Sequence, residues 1–170
     1  MIIEEGVKIV ETAGSNPKKW IALFKKAGLY TIHKCVTIRH ALSAQRLGVS
    51  CISLDGFECA GHPGEGDVGN YVLQAKGARV LTTPFICSGG VGDGWCFVSF
   101  SSFSLFVSLY SLRPPHLTAI HSTAPHPKPS HPGKQLAAAL ALGAEGVNCG
   151  TRFCATKECS WPEAFKKAMV

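Results

Sequence analysis

Short β-branched runs alternate with helical patterns through the first half of this chain, and glycine closes the helices. Val7 to Glu11 (VKIVE) reads as a buried strand, followed by the turn Ala13-Gly14-Ser15-Asn16. Asn16 can cap a helix whose first turn holds Pro17, where a missing N–H costs nothing. Trp20, Leu23, Phe24 and Ala27 fall on one face of that helix, which runs to about Lys26, and Gly28 stops it. The cycle repeats with a strand at Tyr30 to Val36, a helix capped by Thr37 that runs to Leu47, a stop at Gly48 and a strand at Cys51 to Leu54. A Gly-rich segment, DGFECAGHPGEGDVG, leads to a helix over roughly Asn70 to Gly77, then Val80 to Cys87 ends in the strand PFIC before SGGVGDG. Such alternation predicts an α/β fold with a parallel sheet built by crossovers. Ligands of such sheets sit at the carboxyl ends of the strands, so DGFECAGHPGE and SGGVGDG are the segments to search for chemistry.

The cycle breaks at Trp95. From Trp95 to Gly133 there is no Asp or Glu, while four of the nine Phe, four of the seven His and six of the ten Pro lie there. WCFVSFSSFSLFVSLYSL has neither helical period nor clean alternation, and the prolines of RPPHLTAIHSTAPHPKPSHPG forbid a regular element. Six serines in the first half argue against a membrane span. The five-residue spacing of His116, His121, His126 and His131 does not share a helix face, which argues against a metal site. If the segment is removed, SGGVGDG runs into KQLAAALALGAEGVNCGTRF, which supplies a helix from Lys134 to Leu142, a Gly143 stop and a strand from Gly146 to Cys149. The expected organisation is therefore a barrel-type unit over 1–94, a disordered low-complexity insertion over 95–133, such as a retained intron, and a continuation over 134–170.

Composition narrows the function. The 17 Lys and Arg exceed the 11 Asp and Glu, but the pairs Lys18-Lys19, Lys25-Lys26 and Lys166-Lys167 each sit on an expected helix as a solvated face. No recognition-helix, RNP or zinc-finger pattern accompanies them, so neither nucleic acid nor a membrane is an expected partner. The N-terminus MIIEEGVKIV carries two early acids and no long apolar core, so no signal peptide is readable and a cytoplasmic location is expected. The eight cysteines are then expected reduced and mostly buried, and Cys149, Cys154 and Cys159 have no nearby His to complete a metal set.

Two groups of residues can carry chemistry. His62, in Glu58-Cys59-Ala60-Gly61-His62-Pro63-Gly64-Glu65, follows a strand between glycines that admit close backbone approach. Its imidazole suits abstraction of a proton from carbon, although a loop histidine bonded only to backbone fits the same spacing. Ser88-Gly89-Gly90 and Asn148-Cys149-Gly150-Thr151 end consecutive strands once the insertion is set aside, either as a phosphate cradle or as ordinary tight turns.

DGFECAGHPGE, PFICSGGVGDG and KQLAAALALGAEGVNCGTRF together resemble the nitronate monooxygenases, formerly 2-nitropropane dioxygenases, over nearly all of residues 1–94 and 134–170. The resemblance implies an incomplete (β/α)8 TIM barrel, strands four to eight, with the insertion in the loop after strand seven and the first three strands before Met1. It implies FMN as cofactor and His62 as the catalytic base. Gly89 and Gly90, with Asn148, Cys149, Gly150 and Thr151, match the family's phosphate-binding turns. Asp55 stands where the family often has a Gln near the flavin, Ala60-Gly61 where it usually has Gly-Gly, and Lys34 at an earlier strand end is a further flavin contact.

The reaction so implied is oxidation of a nitronate or nitroalkane by O2 to a carbonyl compound and nitrite. A non-catalytic half-barrel, or another FMN barrel oxidoreductase such as an enoyl reductase, stands as the alternative. Open sheet edges also predict self-association.

Overall fold

The computed structural model describes residues 1–61, 66–91 and 132–168, with side chains at all of these except 132–134. Five strands alternate with helices: β1 (Ile9–Thr12), α1 (Lys18–Lys26), β2 (Tyr30–Cys35), α2 (Ile38–Leu47), β3 (Cys51–Asp55), α3 (Asn70–Val80), β4 (Phe85–Ser88), α4 (Pro132–Ala141) and β5 (Gly146–Asn148). Two short helices follow, α5 (Thr151–Cys154) and α6 (Glu163–Ala168). Every strand pairs in parallel with the next, in the order β1-β2-β3-β4-β5. A doubly wound sheet reverses its strand order to place helices on both faces, and this one never reverses. It is a partial (β/α) barrel wall.

The register divides the strands into two faces, because successive side chains of a strand point to opposite sides. Cys35, Ile52, Leu54, Phe85 and Cys87 form one face, and Ile21 of α1, Ala41 and Ala44 of α2 and Ala139 of α4 pack against it in a single buried core. A Cβ on Gly77 of α3 would lie 2.9 Å from Leu54 Cδ1, so the missing side chain lets that helix approach the same face. The other face carries Glu11, Lys34, Ser53, Asp55, Ser88 and Asn148, since Lys34 is registered with Ser53, Asp55 with Ser88 and Ser88 with Asn148. Helices on one side and a polar row on the other are the outer and inner surfaces of a barrel wall.

Local chemistry sets the boundaries. Thr37 Oγ1 accepts from His40 N at 3.1 Å to cap α2, and Gly48 ends it at φ +76. At α1 the expectation needs correction: Asn16 does accept from Lys18 N, but the buried stripe is Pro17, Ile21 and Phe24, while Trp20 and Leu23 are 50% and 45% exposed. Those buried positions recur at i, i+4 and i+7, the helical period that faces the sheet. Trp20 stays outside, stacked on Phe24 with Lys19 over its ring.

Lys166 is also corrected, since it is buried with its Nζ 3.2 Å from Glu163 Oε1 rather than on a solvated face. Of the thiols among the described residues, Cys35, Cys51 and Cys87 are buried and Cys59, Cys149, Cys154 and Cys159 are half-buried. Burial pushes Cys35 and Cys87 up to about 12 and Cys51 to about 11, so these three stay protonated as small hydrophobes. Most of the expected insertion, residues 95–133, lies outside the described residues, and α4 begins at Pro132, inside its expected end. No helix among the described residues is long and apolar enough to cross a membrane.

Candidate functional site

The inner face ends, at the carboxyl side of the sheet, in a row of charge. Lys34 Nζ stands 3.4 Å from Asp55 Oδ2 and 3.6 Å from Glu11 Oε1, bridging carboxylates from both neighbouring strands. Asp55 is 5% exposed, and Ser53 Oγ donates to its Oδ1 at 2.8 Å. Burial works against the Lys34 charge, but the carboxylates of Asp55 and Glu11 outweigh it and its pKa is raised. At Glu11 the balance goes the other way: burial raises its pKa more than Lys34 lowers it. The strand ends thus hold a fixed ammonium at neutral pH, secured chiefly by Asp55.

Beside this row, the loop after β3 folds back on the end of β4. Gly56 N donates to Ser88 O at 3.0 Å, and the Cys59 thiol lies 3.4 Å from Ser88 Oγ and 3.8 Å from Asp55 Oδ2. Burial and the Asp55 charge raise the Cys59 pKa, so the thiol is a donor here and not a nucleophile. Gly89 has φ +83, and a Cβ there would sit 2.6 Å from Cys59 N, so both conformation and space require glycine. Gly90 follows at φ +68. Asn70, fully buried at the start of α3, donates through Nδ2 to Gly89 O at 2.8 Å and to Ser88 O, fixing the turn.

At the neighbouring strand end, Asn148 is 9% exposed and its buried Nδ2 has no partner among the described residues. Cys149 Sγ donates to Val91 O at 3.8 Å, Gly150 precedes α5 at φ −105, and Thr151 opens that helix. The structure therefore brings Lys34 and Asp55 into contact and sets Gly89, Gly90 and Asn148 to Thr151 on adjacent strand ends. Asp55 spends its acceptors on Lys34, Ser53 and Cys59, within the protein. Ala60 and Gly61 are exposed in the loop, the latter at φ +92. His62 lies outside the described residues.

Sequence reasoning missed Glu11, Ser53, Glu58, Cys59 and Asn70. An acid closing a β-branched run was the available signal for Glu11, and strand parity was the signal for Ser53. Nothing local marks Asn70, whose side-chain partners lie 17 to 19 residues away.

Residues 131–170 match the family model for nitronate monooxygenase. The nitronate monooxygenase of Paraburkholderia phytofirmans is 26% identical over 157 residues, 88% of this chain and 32% of that protein. At the same identity over 166 residues, 98% of this chain and 35% of the relative, stands the Rhodococcus jostii (3aS,4S,5R,7aS)-5-hydroxy-7a-methyl-1-oxo-octahydro-1H-indene-4-carboxyl-CoA dehydrogenase. The chain spans about a third of the length of these curated relatives. Among solved structures, FabK from Thermotoga maritima superposes with a TM-score of 0.70 at 29% identity, over 98% of this chain and 40% of that one. Nitroalkane oxidase from Streptomyces ansochromogenes, at 20% identity and a TM-score of 0.64, shares the fold over 98% of this chain and 40% of its own. The nitronate monooxygenase match covers β5 and the turn into α5, the end of the inner face where Asn148 lies.

Proposed function

We propose that this chain forms part of an FMN-dependent oxidoreductase of the nitronate monooxygenase type, converting alkyl nitronates or nitroalkanes with O2 to a carbonyl compound and nitrite. One observation carries the reading: the left-handed Gly89-Gly90 turn adjoins, one strand over, the buried Asn148 Nδ2, which has no partner among the described residues. A donor left orphaned in a buried place is costly, and an anion accepting from it removes that cost. The residues present fit a flavin phosphate, which Asn148 Nδ2 and the backbone N–H groups of Gly89, Gly90, Gly150 and Thr151 would hold.

Bound FMN would take electrons from the substrate and pass them to O2. The remaining work belongs to the chain. Lys34, locked between Asp55 and Glu11, presents positive charge on the inner face where an electron-rich ring or a nitronate oxygen would need it. His62, by its place in the sequence motif, would remove the α-proton of a nitroalkane. The test is nitrite release from an alkyl nitroalkane by FMN-supplemented protein and by His62→Ala. A fall of about a hundredfold or more in the variant is expected, and equal turnover overturns the role of His62.

A second reading, dehydrogenation in the same barrel without nitrite release, is favoured by the similarity to the Rhodococcus jostii dehydrogenase. Flavin reduction by a CoA ester under anaerobic conditions, with no reaction of nitronates, would select it.

A further inference from the structure

Glu58 is exposed in the loop after β3, yet its carboxylate meets neighbouring backbone on three sides. It stands where three residues lack a side chain: a Cβ on Gly56 would lie 2.3 Å from Oε2, one on Gly69 3.1 Å from Oε1, and one on Gly90 3.3 Å from Oε1. Asn70 N donates to both oxygens, at 3.1 and 3.3 Å. Asn70 in turn donates through Nδ2 to Ser88 O and Gly89 O. One carboxylate therefore touches the loop after β3, the first residues of α3 and the turn after β4.

We propose that Glu58 is a positioning residue that clamps the loop of residues 56–61 to the Gly89-Gly90 turn through Asn70, so that the two halves of the site keep a fixed distance. Its carboxylate does not touch substrate. The positive end of α3 and the Asn70 N–H compensate its charge. The carboxylate also fills the α3 side of Gly90, which leaves the β5 side, with Asn148 Nδ2, for an anionic ligand. Side-chain length matters to such a clamp, because a shorter acid on the same backbone cannot reach Asn70 N from residue 58.

The proposal rests on the FMN reading for its functional meaning, but the clamp itself exists without cofactor, and two measurements separate them. The first is peptide-level amide hydrogen exchange on the chain without added FMN, for wild type, Glu58→Gln, Glu58→Asp and Glu58→Ala. Glu58→Ala and Glu58→Asp are expected to raise exchange together in residues 56–61 and 88–91 while β2 and α2 stay protected, and Glu58→Gln, which keeps one acceptor, is expected to restore most of the protection. Unchanged exchange at 88–91 in Glu58→Ala overturns the clamp.

The second measurement is FMN affinity by quenching of flavin fluorescence. Glu58→Ala is expected to bind about tenfold more weakly than wild type, with Glu58→Gln between them. Equal affinity in all three overturns the positioning role. If wild type itself binds no FMN while the exchange pattern is as expected, the cofactor reading fails and the clamp stands.

Discussion

At Gly89 two independent demands meet, a left-handed backbone and a Cβ position 2.6 Å from the Cys59 nitrogen. Gly28 has a similar φ, +72, but nothing within 4 Å of its Cβ position. Comparing alanine at the two sites isolates the contact from the conformation. Gly28→Ala should cost about 1 kcal/mol from backbone strain alone, and Gly89→Ala about 2–4 kcal/mol, strain plus displacement of the loop. Urea denaturation measures both, and equal losses would deny the close approach of the two loops.

Lys34 and His33 show how the same strand presents opposite chemistry on its two faces. On the inner face, Asp55→Asn leaves the ammonium with Glu11 alone and should cost about 1–3 kcal/mol, less than stranding a charge outright. On the outer face, His33 is buried with Nδ1 2.8 Å from Thr12 Oγ1, and burial lowers its pKa. A lowered histidine pKa means that the folded chain binds the proton less readily than the unfolded one. Its stabilisation is therefore complete above the unfolded value of about 6.5 and is lost as pH falls below it. Urea midpoints measured from neutral to mildly acidic pH should fall more steeply in wild type than in His33→Gln; parallel curves would contradict this.

Among the elements, α2 was legible in full because its ends carry chemistry: Thr37 as a side-chain cap and Gly48 as a left-handed stop. Thr37→Ala should lower stability by about 1 kcal/mol, read from the thermal midpoint. The face of α1 was not legible, since Trp20 and Leu23 are as apolar as Ile21 and Phe24 and only the position of the sheet decides between them. Strand runs were legible as elements, while some ends shifted: β1 begins at Ile9 rather than Val7, and α3 continues to Val80 rather than ending near Gly77. Of the site, the glycine turns were legible from their places at consecutive strand ends, and the Lys34 and Asp55 positions came from motif resemblance. The bonds joining them came only from register, because Lys34, Asp55, Ser88 and Asn148 share a face through pairings across four strands.

At the scale of the whole molecule, five parallel strands end in two edges, β1 and β5, and Ile9 is exposed on β1 with Trp20 and Leu23 exposed on the adjoining α1. Unpaired strand edges beside apolar surface favour association. Sedimentation is expected to show a larger species growing with concentration, weakened by Ile9→Lys. The carboxyl end of the inner face carries a polar row drawn from every strand, and there we propose that a flavin phosphate binds. The most direct test is to add FMN, desalt and record the visible flavin band for wild type and Asn148→Leu. Retained flavin in wild type, and its loss in the variant at unchanged thermal stability, is the predicted result. Flavin that elutes entirely in the small-molecule fraction from wild type, or is retained equally by both proteins, would contradict the claim.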